Sequence, residues 1–549
     1  MLNIASRMTE MASRIPENIA VAQAQQRDSS GKRTYRTVTF QELDRSSDRI
    51  ARALLDDGVK PGMRIALMVR YGADFITLVF AILKSGATLV LIDPGMGMKS
   101  MLTCLAEAEP DGFAAVSPVH AVRVFLKRRF PKAVHNLTVG KRWFWGGLSL
   151  AKIRRTLSVA EAVLVPTQPD DPAAVIFTSG STGPAKGVLY THRMFDAQVE
   201  QIQQRYGIQP GDVDLACFPF FGLFNAVTGA VTVIPDMNPT HPAAVNPENI
   251  CEAVRDWQVN QSFASPALWK KVTEYCQSRG EKMPTLKRVI SAGAPISPRL
   301  LAGLKECLLP DAEIYTPYGA TESLPVASVS ASEVLGETAV KTNQGAGICV
   351  GRKFASLRWC VIKITDDPIE RLEDAEKMPI GQMGELAVTG PQVSPRYVTR
   401  RDANPPAKMT DTDGQIWHRI GDVGYLDAED RFWMCGRKSH RVETASGPMF
   451  TIPCEAVFNQ HPQVSRSALV GVGNRGSQIP VMYIEPKPDC PLPEQLFRKE
   501  LMETACNHSL TAVIKDFLFL KSFPVDIRHN VKINRELLAR QAAAWHAGS

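Results

Sequence analysis

The residues best suited to bind an anion form one stretch, TSGSTGPAKG, at positions 178–187. It holds four hydroxyl side chains, three glycines and one lysine, and it follows an apolar run at 173–177. A strand that ends in such a loop presents backbone N–H and side-chain O–H groups to phosphate oxygens, and the lysine adds a positive charge. We therefore expect this loop to bind the phosphates of a nucleoside triphosphate.

The loop differs from the Walker P-loop in the residues around its lysine. That motif requires Gly-Lys-Ser/Thr, whereas Ala185 precedes Lys186 here and Gly187 follows it. The hydroxyl that binds magnesium in the Walker motif is therefore missing. A phosphate loop of another type is one interpretation, and an ordinary Gly/Ser connection between two elements is the other.

Further short motifs follow the loop along the chain. They are THR (191–193), SAGAPI (291–296), YGATE (318–322), GEL (384–386), GDVGYLD (421–427) and GRK (436–438). In this order they resemble the adenylate-forming superfamily of acyl-CoA synthetases, luciferases and peptide synthetase adenylation domains, and the likeness extends nearly end to end. It implies an enzyme that uses ATP and Mg²⁺ to convert a carboxylate into an acyl-AMP with release of pyrophosphate, which requires positive groups where charge builds on phosphorus.

The same resemblance implies roles for individual residues. For the β- and γ-phosphates these are Thr178, Ser179, Gly180, Ser181, Thr182, Gly183 and Lys186. For the adenosine they are Gly293, Ala294 and Pro295 beside the adenine, Tyr318 stacked on it, Gly319 as a further contact, Asp422 on both ribose hydroxyls and Arg437 on ribose or phosphate. Thr321 would contact the α-phosphate and Glu322 would bind Mg²⁺. Taken singly, Asp422 is equally explained as a turn residue and Glu322 as a helix cap.

A smaller second domain is expected to carry a mobile catalytic lysine. We predict an adenylation domain over 1–436 with the ATP and acyl sites, and a mobile C-terminal domain over 437–549 with Ser439 at its hinge. By resemblance, the lysine that approaches the α-phosphate is Lys532, within FPVDIRHNVKINRELL at 523–538. That stretch departs from the family's usual sequence, and Ser439 stands where the family commonly has Asp or Lys. These departures weaken a prediction of thioester chemistry.

The segment CFPFFGLFNAVTGAVTVI at 217–234 combines bulky aromatic residues with small ones. In the family this region borders the acyl site, which implies an apolar tunnel for a long-chain carboxylic acid. The predicted pocket residues are Phe218, Phe220, Phe221, Phe224, Asn225 and Gly229. The alternative is an ordinary buried core, since most aromatic clusters are buried for packing.

Longer stretches narrow the resemblance to one branch of the superfamily. They are LIDPGMG (91–97), PFFGLFN (219–225), YGATESLPV (318–326), GRKSHRV (436–442) and PVDIRHNVKINRELL (524–538). These resemble the β-lactone-forming branch of bacterial long-chain olefin biosynthesis. The resemblance implies that a 2-alkyl-3-hydroxy fatty acid is adenylated and closes to a cis-β-lactone. It also implies a condensing enzyme, a reductase and a β-lactone decarboxylase as partners, the later ones possible members of one assembly.

Other functions stay open at the level of the sequence. A long-chain acyl-CoA synthetase and a fatty acyl-AMP ligase would share every site except the one for the acyl acceptor. A non-catalytic acyl-nucleotide binding protein is a further alternative, although such a protein would not need Lys532. No general base for the 3-hydroxyl is evident. His192 is a candidate, with a structural role as the alternative.

The elements that position these residues follow from hydrophobic periodicity. Apolar strand-like runs at 64–69 and 88–92 flank a helical pattern at 71–85, and similar runs recur at 173–177, 261–264, 288–291 and 313–316. Strands that alternate with helices predict an α/β fold with parallel-rich sheets covered by helices. From about 381 onward, short β segments predict a distorted β region, followed by a small α+β C-terminal domain.

Composition excludes several classes of protein. Of 549 residues, 44% are hydrophobic and 22% are charged, which is typical of a globular enzyme. The net charge of +7 is modest and does not predict nucleic-acid binding. No signal-peptide pattern begins the chain, and the longest apolar stretch, 75–92, is interrupted at 84–86, so we expect a cytoplasmic protein with reduced cysteines.

One segment has an unusual charge pattern. From 112 to 160 the sequence has no Asp or Glu, while ten lysines and arginines surround WFWGG at 143–147. Basic residues among aromatic ones suit an anionic lipid surface or an acidic partner protein. We predict peripheral contact with a membrane or with pathway enzymes through 123–155, against the alternative of a solvated basic face.

Overall fold

The chain forms two large β-sheets and a smaller C-terminal sheet in a computed structural model that describes residues 1–156, 161–178, 184–488, 490, 493–525 and 533–548. The strands are β1 (Ile19–Arg27), β2 (Arg33–Thr39), β3 (Arg64–Met68), β4 (Thr88–Leu91), β5 (Gly112–Val116), β6 (His135–Val139), β7 (Leu148–Ser149), β8 (Pro172–Phe177), β9 (Gly187–Thr191), β10 (Val213–Ala216), β11 (Val231–Ile234), β12 (Gln261–Ala264), β13 (Arg288–Ser291), β14 (Glu313–Ala320), β15 (Ser323–Ser330), β16 (Ile348–Lys353), β17 (Arg358–Ile362), β18 (Gly384–Thr389), β19 (Lys408–Thr410), β20 (Ile416–Leu426), β21 (Arg431–Arg437), β22 (Val442–Thr444), β23 (Gly447–Met449), β24 (Val464–Val472), β25 (Ile479–Pro486) and β26 (Asp516–Phe519).

The helices are α1 (Ala5–Arg14), α2 (Phe40–Asp56), α3 (Ala73–Lys84), α4 (Met98–Ala108), α5 (Ser117–Phe125), α6 (Leu150–Thr156), α7 (His192–Tyr206), α8 (Pro219–Thr228), α9 (Pro247–Trp257), α10 (Pro266–Arg279), α11 (Pro298–Glu306), α12 (Ala331–Glu333), α13 (Ala339–Asn343), α14 (Thr451–Asn459), α15 (Glu494–Cys506) and α16 (Arg535–Gly548). Several start at a serine cap followed by proline: Ser265 and Ser297 accept hydrogen bonds from the first turns of α10 and α11. Proline fits the first helical position because that backbone N–H would have no partner in the helix.

The first large sheet changes from parallel to antiparallel strand pairing along its width. Its strand order is β17-β18-β20-β21-β16-β15-β14-β13-β12-β10-β11-β1-β2, and β19 pairs with β20. The neighbours from β1 through β11, β10, β12 and β13 to β14 are parallel, whereas β14 to β17 pair antiparallel with register shifts. The turn from β14 into β15 therefore lies where the parallel part meets the distorted antiparallel part.

The second large sheet has the order β7-β6-β5-β3-β4-β8-β9. All its neighbouring pairs are parallel except β8 and β9, which form the hairpin around residues 178–186. The carboxyl ends of β4, β5, β6 and β8 thus lie at one edge of the sheet. Ligands of open α/β sheets bind at this edge.

Helix α3 shows how an apolar run with a terminal lysine is accommodated. All but one of its residues are buried, Asp74 being the exception, and Lys84 is only 1% exposed. Its Nζ lies 2.6 Å from Asp44 Oδ1 and 2.6 Å from Asp48 Oδ1, both on α2. A buried ammonium is tolerated because two carboxylates compensate its lost hydration. The run at 75–92 is a core helix and a strand.

The C-terminal part has its own sheet and its own apolar core. Strands β24, β25 and β26 form a three-stranded sheet, and two apolar clusters contain only residues from 442 onward. Arg441 and Arg475 both contact Asp366 of the distorted β region, at 2.7 and 2.6 Å. A separate core supports a separate C-terminal domain. The domain boundary at 436/437 and the mobility of the C-terminal domain stay predictions.

The mixed α/β class predicted from the sequence is confirmed, including the parallel-rich sheets and the distorted β region. The predicted runs at 64–69, 88–92, 173–177, 261–264 and 288–291 fall on β3, β4, β8, β12 and β13. The run at 313–316 continues as a strand to Ala320, which brings Tyr318 into the sheet. Within the described part of the chain, every helix is too short or too polar to cross a bilayer.

Candidate active site

The loop predicted to bind phosphate is closed at its base by reciprocal hydrogen bonds. The backbone N–H of Thr178 donates to Lys186 O, and the backbone N–H of Lys186 donates to Thr178 Oγ1, each at 3.0 Å. These bonds continue the β8–β9 hairpin and fix both ends of the loop. Five residues predicted to bind phosphate, at positions 179–183, lie outside the described residues, and their roles stay predictions.

Tyr397 connects this loop to the first sheet. Its segment runs beside β9, because Leu189 N–H donates to Arg396 O and Val398 N–H donates to Gly187 O. The Lys186 Nζ atom lies 4.9 Å from the centre of the Tyr397 ring, a cation–π distance. The Tyr397 hydroxyl donates to Glu322 Oε1 at 2.5 Å. One tyrosine therefore joins the predicted phosphate lysine to the predicted magnesium ligand.

Thr321 and Glu322 occupy the turn between β14 and β15, and Glu322 is 9% exposed. The Tyr190 hydroxyl, on β9, donates to Thr321 O at 2.6 Å, and Ser394 N–H donates to Glu322 O at 2.8 Å. The turn is therefore held from the second sheet through its backbone. Its side chains stay available to contact a ligand, apart from the bond that Glu322 accepts from Tyr397.

Tyr318, Asp422 and Arg437 form a second group. Asp422 and Arg437 face each other across β20 and β21, with Arg437 Nε 3.0 Å from Asp422 Oδ1. The Tyr318 hydroxyl donates to Asp422 Oδ2 at 2.5 Å. Burial raises the pKa of Asp422, and the charge of Arg437 opposes this shift. Oδ1 is buried and faces Arg437 in this ion pair, and a carboxylate oxygen has more than one lone pair, so it can also accept from an added donor such as a ribose hydroxyl.

The predicted adenine loop follows β13, beside β14. Gly293 has φ 93°, a left-handed conformation that favours glycine, and it is exposed together with Pro295, while Ala294 is half-buried. Gly319 lies near the end of β14, two positions before Thr321. A Cβ atom at position 319 would lie 2.7 Å from Ser323 O, so only glycine fits. Because β13 and β14 are parallel neighbours, the loop lies at the carboxyl edge beside the Tyr318 strand.

A further lysine and a histidine lie beside these two groups. Lys408 Nζ donates to Ser394 O at 2.6 Å and lies 5.8 Å from the centre of the Tyr397 ring. Burial lowers the pKa of Lys408 to about 7, and the carboxylate of Glu322 partly opposes this shift. His418 is buried with Nδ1 3.0 Å from Ala407 O, and burial together with Lys408 lowers its pKa well below the usual value. The Tyr397 ring thus has two lysines near it.

The predicted hinge is adjacent to a buried ion-pair group. Glu385 Oε2 lies 2.7 Å from Arg419 and 3.0 Å from Lys438 Nζ, and the side chains of Arg419 and Glu385 are 0% and 1% exposed. Ser439 follows Lys438 directly and is exposed. The chain is therefore held up to Lys438, and Ser439 is the first residue of the predicted hinge without such support.

Lys532 lies outside the described residues, so its catalytic role stays a prediction. Its neighbours are ordered by contacts: Ile533 pairs with Val525 and Asn534 N–H donates to Pro524 O at 2.8 Å. Arg535 contacts Glu455 at 2.6 Å, a buried carboxylate of α14. Arg535 therefore stabilises the C-terminal domain and is not placed against the nucleotide residues.

The phenylalanines predicted to line the acyl pocket lie on or next to α8. Phe221 stacks on Phe263 of β12 with ring centres 3.8 Å apart and 14° between planes, and Phe218 contacts both Phe220 and Phe263. Phe224 packs against Phe221 at 5.7 Å. Phe220 and Phe224 are half-buried, so part of each ring is open to a ligand.

Asn225 and Gly229 have packing roles on the same helix. Asn225 Nδ2 donates to the buried Asp214 Oδ2 at 2.8 Å, and Gly229 ends α8 with φ 83°, beside Pro210 and Met11. Asn225 follows Phe224 directly on α8, but its side chain bonds to Asp214. Their assignment to the acyl pocket stays an untested prediction with a structural explanation.

His192 is the first residue of α7 and is fully buried. Its Nδ1 accepts a hydrogen bond from Ile4 N–H at 3.2 Å, and burial lowers its pKa to about 4. This contact ties the start of α1 to α7, which is the structural alternative given from the sequence. The contact supports the structural alternative, and a role of His192 as general base stays a prediction.

Sequence reasoning missed Tyr397, Tyr190 and Lys408, which contact the predicted residues only in the fold. Tyr397 follows Glu322 by 75 positions and stands in no motif that was recognised. The one available signal was the run of polar and proline residues after GELAVTG, which marks an irregular connection at a sheet edge. That signal does not point to a particular residue.

The fold and these two groups define a nucleotide-using enzyme of the adenylate-forming class. The model for the family described as AMP-binding enzyme matches residues 9–398, and the chain belongs to this family. It is 42% identical to an olefin beta-lactone synthetase of Xanthomonas campestris pv. campestris, over 98% of this chain and 97% of that one. Identity to an olefin beta-lactone synthetase of Stenotrophomonas maltophilia is 41%, over 99% and 98%.

The solved structures agree on the fold. An o-succinylbenzoate coenzyme A synthetase from Bacillus subtilis, in complex with ATP and magnesium ion, superposes with a TM-score of 0.73 at 20% identity. The match covers 97% of this chain and 99% of that chain.

The donor set fits a magnesium ion that is bound mainly through phosphates. Mg²⁺ in such sites takes one or two carboxylates, with phosphates and water as the other ligands. Glu322 offers one nearly buried carboxylate near two lysines, and no cluster of three or more His, Cys, Asp or Glu side chains suited to a metal occurs within the described ranges. The residues therefore fit Mg²⁺ delivered with a nucleotide.

Tyr397→Phe tests the link between the two sheets. The change removes the hydroxyl that holds Glu322, and hydrogen bonds to charged groups are worth about 1.5–3 kcal/mol, so ATP-dependent pyrophosphate release should fall about 10- to 100-fold. The Mg²⁺ concentration for half-maximal rate should rise. Tyr206→Phe is the control, because it removes a buried hydroxyl that bonds to Ser328 Oγ. An unchanged rate and Mg²⁺ dependence in Tyr397→Phe would contradict the proposed role.

Lys408→Arg tests whether the second lysine attracts the triphosphate. The pKa of about 7 means that Lys408 is positive below pH 7 and neutral above it, whereas arginine stays positive. From pH 6 to pH 9, ATP affinity should fall about tenfold more in the wild type than in the variant, as expected for a lost charge-assisted hydrogen bond. ATP affinity is measured by calorimetric titration of both proteins at each pH. Protonation of ATP itself changes both affinities alike, so it cancels in the comparison. Parallel pH profiles of the two proteins would exclude this role of Lys408.

Proposed function

We propose that the chain activates a 2-alkyl-3-hydroxy long-chain fatty acid with ATP and Mg²⁺ and closes it to a cis-β-lactone, releasing AMP and pyrophosphate. The observation that carries this proposal is 41–42% identity, over nearly full length, to two olefin beta-lactone synthetases. The contacts of Lys186, Glu322 and Tyr397, and those of Tyr318, Asp422 and Arg437, support it because they assemble the groups that adenylation needs.

The first step joins the substrate carboxylate to AMP. A carboxylate oxygen attacks the α-phosphorus, an O–P bond forms, and the bond from that phosphorus to pyrophosphate breaks. Lys186 and Lys408 flank Tyr397 on the side where the leaving charge would develop, and positive groups fixed there lower the barrier. Bound Mg²⁺ would neutralise phosphate oxygens, and Glu322 is the residue that would hold it.

Adenosine would be held by the second group. Asp422 Oδ1, which is paired with Arg437, has a further lone pair that could accept from a ribose hydroxyl. The hydrogen bond from Tyr318 to Asp422 sets the orientation of the tyrosine ring that we propose stacks on adenine. Thr321, next to Glu322, would contact the α-phosphate, and Lys532 would approach it from the C-terminal domain.

The second step needs no external nucleophile. The 3-hydroxyl oxygen attacks the acyl carbon, the new C–O bond closes the four-membered ring, the bond to AMP breaks, and the hydroxyl proton leaves. Because the hydroxyl is two carbons from the acyl carbon, holding the chain folded supplies a high effective concentration that offsets ring strain. The half-buried Phe220 and Phe224 on α8 are the residues proposed to hold an alkyl chain in this folded arrangement.

The resemblance also supports a place within a pathway. A thiolase-like condensing enzyme and a reductase would supply the 2-alkyl-3-hydroxy acid, and a β-lactone decarboxylase would consume the product. Assembly of this chain with the later enzymes is part of the same proposal.

Product analysis tests the lactone step directly. Incubation of the protein with ATP, Mg²⁺ and a synthetic 2-alkyl-3-hydroxy acid should give a β-lactone by mass spectrometry, with equal yield in the presence and absence of coenzyme A. The matched control is the same acid without the 3-hydroxyl, which should stop at the acyl-AMP. A product that forms only when the thiol is added would identify an acyl-CoA synthetase instead.

Lys532→Ala tests the contribution of the C-terminal domain. Loss of a lysine that neutralises transition-state charge should lower adenylation by about two or more orders of magnitude, while ATP binding persists through the N-terminal residues. Lys521→Ala is the control for a lysine on the same domain. Pyrophosphate release and ATP titration are measured on each protein, and near-normal pyrophosphate release in Lys532→Ala would remove that lysine from the mechanism.

A further inference from the structure

The charge-biased segment noted in the sequence is exposed at the end of α5, in the turn after it and in the loop after β6. We call it the aromatic-basic surface, and it comprises Val122, Phe125, Lys127, Arg128, Arg129, Lys141, Arg142, Trp143 and Phe144. All nine residues are exposed. They belong to the outer side of α5, the turn after it and the loop that follows β6.

Contacts between α5 and the loop after β6 hold the surface together. Ser117 Oγ, at the start of α5, donates to Lys141 O. His120 of α5 stacks on Trp145 with ring centres 5.7 Å apart, and Trp145 in turn contacts Trp143 and Phe144. Since Trp145 Nε1 also donates to Thr138 Oγ1 on β6, the loop is anchored from below and presents Trp143 and Phe144 outward.

Large apolar side chains on this surface are unusually exposed. Phe125 is 83% exposed, Phe144 is 74% and Trp143 is 51%. Exposed aromatic rings do not gain the free energy that burial provides, so a cluster of exposed rings marks an interaction site. The rings project from the end of a helix and from the tip of a loop, and rings placed in this way can insert into a lipid surface.

The charges around these rings have one sign. Lys127, Arg128, Arg129 and Lys141 form no ion pair with any described residue, and no Asp or Glu occurs from 112 to 156. Nearby pairs involve other residues of the region: Lys132 contacts Glu109, and Arg154 contacts Asp74. The unpaired charges therefore remain available for an anionic partner.

We propose that the aromatic-basic surface binds an anionic lipid bilayer. Aromatic rings settle at the boundary between headgroups and acyl chains, and adjacent lysines and arginines attract anionic headgroups. Both features are present here within about two helical turns and one loop, without a flat apolar face that a protein partner would cover. An acidic protein surface is the competing occupant, and the experiment below distinguishes it.

The position of the surface relates it to the candidate active site. The loop after β6 and the start of α5 follow the carboxyl ends of β6 and β5, and the phosphate-binding loop follows that of β8 in the same sheet. Strands β5 and β8 are three spacings apart, about 14 Å at the usual strand separation. Phe125 and 127–129 lie at the opposite end of α5, about 12 Å from its start at 1.5 Å per residue, so the loop after β6 is the part of the surface near this edge. Bilayer contact through that loop would bring the edge of the candidate site towards the lipid. The alkyl chains of the proposed substrate would favour such a lipid phase, an argument that rests on the proposed function.

Sedimentation of the full-length protein with vesicles tests the proposal. Vesicles of phosphatidylcholine with phosphatidylglycerol should carry down about tenfold more protein than vesicles of phosphatidylcholine alone, and high salt should release it. The variant Lys127→Glu/Arg128→Glu/Arg129→Glu should lose this preference. The variant Phe125→Ser/Phe144→Ser should bind more weakly to both kinds of vesicle, because it removes the inserted rings.

Matched controls change similar residues elsewhere. Lys270→Glu/Lys271→Glu/Lys282→Glu reverses three exposed lysines, and Ile380→Ser/Ile479→Ser removes side chains that are 69% and 43% exposed. Both controls should sediment like the wild type. Wild-type protein that stays in the supernatant with both vesicles would overturn the proposal and leave an acidic protein as occupant. Equal binding by the triple patch variant would also overturn it. The assay contains neither ATP nor substrate, so its result is independent of the lactone measurement.

Discussion

The hydrogen bond from Tyr397 to Glu322 is the contact on which the rest of the site depends. Tyr397 belongs to a segment paired with β9 of the second sheet, whereas Glu322 lies in the β14–β15 turn of the first. The bond therefore joins two sheets that are separate in hydrogen-bonding pattern. The bonds from Tyr190 to Thr321 O and from Ser394 to Glu322 O also hold this turn through its backbone. The Tyr397 bond is the one that ends on the Glu322 carboxylate, so it fixes that side chain relative to Lys186.

The charges near this bond are kept in place by partners that limit their desolvation. Lys408 donates to a backbone carbonyl, His418 has a carbonyl beside its Nδ1, and Asp422 is compensated by Arg437. Burial still lowers the pKa of Lys408 to about 7, which shows that the compensation is incomplete before a ligand arrives. A polyanion bound at this site would supply negative charge beside Lys408 and favour its charged form.

Two regions outside these two groups of residues bear on the candidate site: the predicted hinge and the aromatic-basic surface. Buried Glu385 and Arg419 fix the chain as far as Lys438, so rotation of the C-terminal domain would begin at Ser439 and leave Asp422 and Arg437 undisturbed. At the other end of the second sheet, the loop after β6, which carries Trp143 and Phe144, shares the carboxyl edge with the predicted phosphate-binding loop. By our proposals, this edge serves both phosphate binding and contact with lipid.

The sequence by itself determined the fold class and most strand positions, and it predicted which residues bind the nucleotide. It could do so because strands and helices follow local periodicity, and because the phosphate loop and the YGATE and GDVGYLD motifs are contiguous. Tyr397 and Lys408 were decided only by the tertiary structure, since they lie 75 and 86 positions beyond Glu322 and meet it through sheet packing. The fold likewise adds that Asn225 donates to Asp214, a contact that the sequence does not predict, while its place in the acyl pocket stays a prediction. Contacts between distant residues depend on how sheets pack, and one-dimensional spacing carries no record of that packing.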